Sequence, residues 1–456
     1  MMISPNISNW NLKGKGKDLL WNGCSLTDLA KEYETPLYVI NKMRLQQSYK
    51  DLLYAFINEN LNAEIFFSFK TNPIPAVLKS LVEIGSGAEI ISEYELWLAQ
   101  KLGVENSKII ITGSAKSESM LRTAVEINVR MISIDNYEEL LILLKTAKQL
   151  NKSVDVTLRI NPAIRKRMFD LTSETGTKTC PMGFIHNSSE WRNALDLLRK
   201  NSYLNLLGLH FHIGSGITNS SPYKIALKKI LKIWQELTAE GFSPKVLDIG
   251  GGFNIPTLKT FNLLEVYRLY AGNRRQGLSS AKHKNQIVDI ARYYGKKLKE
   301  FSLKHGIALP EIFLEPGRFI SASSQILLLK VLSVQNRGKS KDFLFCDGGA
   351  MSLSPLLLSE YHEIICINKS YNGKSRMYNI LGNLPTPLDV VGKNRVLPII
   401  SPGDILAVMD TGAYFTSLGN NFAGPRPAIV TVENGQAQLI RRRESFDDLI
   451  VRDLKS

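Results

Sequence analysis

Lys70 closes the run EIFFSFKTNP. Four of the six residues 64–69 are apolar, which reads as a buried strand. Asn72-Pro73 then begins a turn. A lysine at the mouth of a buried strand is desolvated, which lowers its pKa and frees a neutral amine to attack an aldehyde. Read alone, the same lysine is an ordinary solvated strand end. Three further groups could share its chemistry. Gly250-Gly251-Gly252-Phe253 lets backbone amides approach a phosphate with no side chain between them, or is only a turn. Glu315 and Arg318, in the run EPGR, could simply pair, or could divide the work of holding an anionic, nitrogen-containing ring. In HFHIGSG, His210 and His212 share one strand face. One could stack on a planar ligand while Ser215 binds phosphate; a hydrogen-bonded core histidine is the plain alternative.

These groups need elements to position them. Short apolar runs at 64–69, 87–92, 108–113, 131–136, 155–162, 206–214, 245–250 and 311–317 alternate with helical patterns. Near-continuous apolar runs suit parallel strands buried on both faces. Leu227, Ile230, Leu231 and Trp234 follow a helical repeat, as do Trp191, Leu195 and Leu198. Eight regular strand–helix units imply an α/β fold, a closed (β/α)8 TIM barrel over residues 41–318, in preference to a doubly wound open sheet. Chemistry in such a barrel belongs at the C-terminal strand ends, and phosphate often sits after strands seven and eight. Lys70, the glycine run, Glu315 and Arg318 all fall there. From 319 to 456 the texture changes to strands separated by Gly, Pro and Asn turns, which predicts a mostly antiparallel β domain. TPLYVI, near the end of an N-terminal segment 1–40, is expected to pair with that domain. Residues 272–286 read as a mobile insertion.

Composition excludes several classes. The chain has 456 residues, a net charge of +15, and 44% hydrophobic content. No apolar run is long enough to span a bilayer, and the N-terminus has no secretory h-region, so a cytoplasmic protein is expected. Four scattered cysteines without a CxxC pair, and six histidines without HExxH spacing, argue against a metal site or disulfide framework. The basic excess lies in helices, including Lys224, Lys228, Lys229 and Lys232, and in 268–299. That reads as solvated helix faces or as attraction for an anionic partner, without the aromatic interleaving of a nucleic-acid surface.

As a set, FSFKTNP, HFHIGSG, LDIGGGF, EPGR, CDGGAMSLSP…YHEI and DTGAYFTSLGNNFAGPRP resemble the fold-type III pyridoxal-phosphate-dependent decarboxylases, most closely the diaminopimelate and ornithine decarboxylase family. The resemblance covers about residues 20 to 450. It implies pyridoxal 5'-phosphate as cofactor and Lys70 as the lysine that holds it as a Schiff base. His212 is implied as the ring-stacking histidine, and Glu315 as the partner of the pyridine nitrogen. Ser215, Gly250, Gly251, Gly252, Arg318 and Tyr414 are implied as cofactor contacts, chiefly to the phosphate. It also implies a homodimer with active sites shared between subunits. An acidic group at the ring nitrogen makes the ring a full electron sink, which favours decarboxylation over racemisation.

The chain departs from the family in three places. The family loop GPxCESxD reads GNLPTPLD, so Pro385 replaces the proton-donating cysteine and Thr386 the acidic residue. The arginine and tyrosine of RPxLY are Ser354 and Leu358. Lys-Phe-Gly becomes Pro181-Met182-Gly183. Candidates for the missing proton donor are Cys346, Asp347, Thr386 and His362. These departures predict decarboxylation of an unusual amino acid or conjugate, carrier-bound or from siderophore or antibiotic pathways, rather than diaminopimelate. The basic 268–299 stretch would suit an acidic carrier protein. A racemase on the same scaffold, or a non-catalytic homologue that binds a protein partner, are the alternatives.

Overall fold

The structure is a computed structural model and describes residues 6–15, 18–164, 176–177, 179–271, 286–337 and 342–454. Eight strands close into a barrel: β1 Ala63–Ser68, β2 Gly87–Ile90, β3 Ile109–Ile111, β4 Met131–Ile134, β5 Val154–Arg159, β6 Leu204–His210, β7 Val246–Asp248 and β8 Glu311–Leu314. Each is parallel to its neighbours in chain order, and β8 closes on β1 through Leu314 opposite Ile65. The eight apolar runs of the sequence are these eight strands. Of the expected insertion 272–286, only Gln286 lies within the described residues.

Local chemistry sets the turns. Ser92, Ser117 and Asn136 follow β2, β3 and β4, and each side chain accepts the amide three residues on, starting the next helix. The helix Ser221–Ala239 buries Leu227, Ile230 and Trp234 against the barrel, with Leu231 half-buried.

Period two then sorts the barrel interior. Phe66, Ile110, Met131, Leu207, Val246 and Phe313 form a separate buried cluster, with the Phe66 and Phe313 rings 4.7 Å apart. Two residues further along five of these strands come Ser68, Thr112, Ser133, Asp248 and Glu315. On β6 the step is three, Leu207 to His210, because the register with β5 shifts between Leu206 and Gly208. An apolar plug therefore fills the lower barrel and a polar layer lies above it.

After the barrel, Gln325–Gln335 pairs antiparallel with Asp342–Cys346, Ile405–Val408 and the N-terminal strand Leu37–Asn41. Two pairings in this second sheet are parallel, Asp342–Cys346 with Ser375–Leu381 and Leu37–Asn41 with Ala428–Glu433. Val390–Pro398 is a strand that the turn-rich sequence concealed. Trp10 and Trp21 are buried in this domain's core, and Trp10 donates to Asp410 at 2.9 Å. Among the described residues, no helix is long and apolar enough to cross a membrane.

Gly208, at the β6 bulge, has no room for a side chain. A Cβ on Gly208 would lie 1.8 Å from the Val246 carbonyl oxygen. Gly208→Ala should destabilise the protein by about 3 kcal/mol or more in urea unfolding. Gly373→Ala, where a Cβ meets nothing within 4 Å, should change it by less than about 1 kcal/mol.

Candidate active site

Lys70 lies on the single turn Phe69–Thr71 that follows β1. Its Nζ donates to both oxygens of Glu89, at 2.8 and 2.7 Å. Glu89 is buried on β2 and also accepts from the Thr112 hydroxyl. Burial works against the charge on Lys70, but Glu89, then Tyr414 and Glu315, outweigh it and hold the amine above its ordinary pKa. Burial likewise opposes ionisation of Glu89, and Lys70 reverses that. The sequence leads to an amine whose pKa falls on burial; here burial does lower it, but the ion pair with Glu89 outweighs burial and raises it instead.

The two histidines converge on Glu315. The strand ends at His210, and His212 lies just beyond it. His210 Nε2 is 3.6 Å from Glu315 Oε1, and His212 Nδ1 is 3.9 Å from Glu315 Oε2. His210 is the core histidine of the plain reading, bonded through Nδ1 to Ser133 at 2.7 Å. His212 accepts the Gly251 amide at 3.2 Å and keeps about a quarter of its side chain exposed. Burial, then Arg159, depresses both rings, His212 to about 3, so both are neutral.

Glu315 faces a second carboxyl, Asp248. Burial raises both, Asp248 to about 7 and Glu315 well above its usual range, where Asp248 and Glu89 push it further. Two carboxyls this close in a dry barrel hold one proton between them. Donor atoms of His210, Asp248 and Glu315 lie within 4.8 Å of one another. Glu315 Oε1, Asp248 Oδ2 and His210 Nε2 are buried without partners. These orphaned atoms fit a ring that brings its own N–H, and on that ground pyridoxal phosphate suits the site.

The glycine loop is shaped by its neighbours. Gly250 and Gly252 have φ of +64° and +89°. A Cβ on Gly251 would meet the Glu315 carbonyl oxygen at 2.2 Å, and one on Gly252 the Gly214 carbonyl oxygen at 2.1 Å. The Ile217 amide donates to Gly252, so the loop carrying Ser215 is laced to this one. Tyr414 arrives from the β domain at φ +65°, its amide bonded to Thr71 at 2.8 Å, next to Lys70. Asn72 ties that loop down through the Gly412 carbonyl at 3.0 Å. Arg318 lies 5.5 Å from the Tyr414 ring centroid, but its guanidinium is engaged by Glu360, at 2.9 and 2.8 Å.

The proton-donor candidates separate. Cys346 is buried within the β-domain sheet opposite Val331, and burial raises its thiol. Asp347 is bonded to Thr35 at 2.5 Å and to the Lys330 amide at 2.9 Å. Thr386 sits on a half-exposed turn, bonded to the amide of Leu388. Only His362 of the four approaches the residues around Lys70, through Glu360 at 3.4 Å. Sequence reasoning missed Glu89, Asp248, Ser133 and Glu360. The period-two step from apolar plug to polar layer would have found the first three.

A family model for the pyridoxal-binding domain of pyridoxal-dependent decarboxylases matches residues 43–322. The diaminopimelate decarboxylase of Methanocaldococcus jannaschii is 30% identical over 438 residues, covering 95% of this chain and 94% of the relative. That of Bacillus subtilis is 30% identical over 429 residues, 93% of each. The crystal structure of the M. jannaschii enzyme superposes with a TM-score of 0.87 at 28% identity over 99% of both chains. The barrel with its antiparallel companion, the lysine after β1 and the match over most of both chains lead to one assignment: the chain belongs to the pyridoxal-dependent decarboxylases and is a pyridoxal-phosphate-dependent amino-acid decarboxylase.

Proposed function

We propose that the protein removes the α-carboxyl group from an amino acid, or an amino-acid conjugate, other than diaminopimelate. The observation that carries the reading is the buried Asp248–Glu315 pair beside Lys70. Pyridoxal phosphate, when bound, supplies a ring that accepts electrons from the substrate's α-carbon. Glu315 would be the carboxylate partner that keeps the ring nitrogen protonated, with Asp248 beside it. His212, neutral and partly exposed, offers a flat face for the ring. Lys70 provides the amine, and the ionised Glu89 beside it positions it. Ser215, Gly250, Gly251, Gly252 and Tyr414 would hold the phosphate, while the terminal nitrogens of Arg318 are taken by Glu360.

The substrate reading rests on what the site lacks. Ser354 and Leu358 stand where the family has arginine and tyrosine, and the Ser354 hydroxyl caps the Leu356 amide instead. The relatives named above are diaminopimelate decarboxylases, and the M. jannaschii enzyme is also described in complex with L-lysine. Thr386 bonds within its own turn, to the Leu388 amide, and we assign Pro385 and Thr386 to the site of a second subunit in a homodimer. The acidic carrier partner is expected at 268–299, of which 272–285 lie outside the described residues; beyond them Arg292 faces Glu59 at 3.9 Å and Lys297 pairs with Glu300 at 2.6 Å.

Three measurements test these roles. Incubation of a broad amino-acid panel with the loaded enzyme in D2O should release CO2 and leave one deuterium at the α-carbon. Deuterium uptake without CO2 loss would instead identify a racemase. Glu315→Gln should lower kcat by about 10²-fold or more while cofactor affinity falls less than about tenfold; equal losses would count against its role at the ring nitrogen. Asp248 has a folded pKa near 7 against 3.8 unfolded, so the cofactor-free native state binds the extra proton between those values. Stability should therefore fall as pH rises from 4 to 7, by about 2 kcal/mol or more relative to Asp248→Asn. Parallel stability curves would contradict a shared buried proton.

A further inference from the structure

Four cations at the C-terminal end of the barrel each face a carboxylate of their own chain. Lys70 pairs with Glu89 at 2.7 Å, Lys116 with Glu139 at 2.6 Å, Arg159 with Asp135 at 2.9 Å and Arg318 with Glu360 at 2.8 Å. The last pair differs in kind. Glu360 comes from the β domain, beyond the barrel, on a two-residue strand that pairs with Lys259–Thr260. Both its oxygens meet the two terminal nitrogens of Arg318, in the fork geometry with which a guanidinium grips a substrate carboxylate. Both side chains are buried, so neither charge is screened by water. Arg318 in turn lies over Tyr414, whose amide is bonded to Thr71 beside Lys70.

We infer that Glu360 determines specificity: it fills the Arg318 fork from within, so the substrate is an α-amino acid whose far end carries no carboxylate. A substrate with a second carboxylate would have to displace Glu360 or leave its own charge unmatched in a buried site. The Ser354 substitution works in the same direction, since it removes the other arginine that the family resemblance places nearby. Burial opposes the charge on Glu360, but Arg318 and His362 reverse this, so the group is an ionised competitor for the fork. This inference rests on the decarboxylase reading for its substrate but not for its measurement.

The test is calorimetric binding of lysine, norleucine, 2-aminoadipate and diaminopimelate to the pyridoxal-phosphate-loaded enzyme. The wild type should bind lysine and norleucine at least about tenfold more tightly than 2-aminoadipate or diaminopimelate. Glu360→Gln, which keeps the shape and frees the fork, should close or reverse that gap. Equal or tighter binding of the dicarboxylates by the wild type would overturn the inference whether or not the variant folds. So would a gap unchanged in a folded Glu360→Gln. CO2 release measured on the same samples judges the other reading separately: binding preference without CO2 would remove decarboxylation and leave the role of Glu360 standing.

Discussion

Closing eight parallel strands into a ring leaves an interior that side chains must fill, and this constraint organises the rest of the molecule. Because side chains alternate along a strand, each inward position is followed two residues later by another. The chain spends the lower inward positions on Phe66, Ile110, Met131, Val246 and Phe313. It spends the next ones on Ser68, Thr112, Ser133, Asp248 and Glu315. An apolar plug beneath a polar layer keeps water from entering from below, and the polar groups above it meet in a medium of low dielectric. Charges placed there must find partners or give up their protons.

The polar layer shows both outcomes. Cations find carboxylates within the chain, as Lys70 does with Glu89. Where carboxyls outnumber cations, at Asp248 and Glu315, a proton is retained. Buried atoms left without partners mark the remaining need, which a protonated ring nitrogen meets. The same electrostatics explain why Lys70 is an ammonium, although burial alone would lower its pKa.

The β domain completes this end of the barrel. Asn72 binds the Gly412 carbonyl, and the Tyr414 amide binds Thr71, so the segment DTGAYF is tied down beside Lys70. Glu360 reaches Arg318 from the same domain. The barrel carries Lys70, the glycine loop, Glu315 and Arg318, and the second domain contributes Tyr414 and Glu360 to the same end. That division suits a fold in which the barrel strands are fixed by closure while loops from another sheet are free to change.

The eight barrel strands were legible in the sequence because buried parallel strands are apolar throughout and their helices repeat every three to four residues. Lys70, the glycine run, Glu315 and Arg318 were legible because they follow such strands, where a barrel exposes its chemistry. Val390–Pro398 was not, since Gly392, Lys393 and Asn394 interrupt its apolar pattern. Cys346 and Asp347 looked available at a strand end, yet sheet pairing buries the first and Thr35 engages the second. The sequence by itself determined the architecture, because apolar strands and helical repeats are patterns over short distances, and it put Lys70 at the end of the first of those strands. Only the tertiary structure decided which charges are matched. The partners of Lys70, Glu315 and Arg318 lie 19, 67 and 42 positions away in the chain, and a local pattern can put a residue in a layer but cannot say which distant residue it will meet.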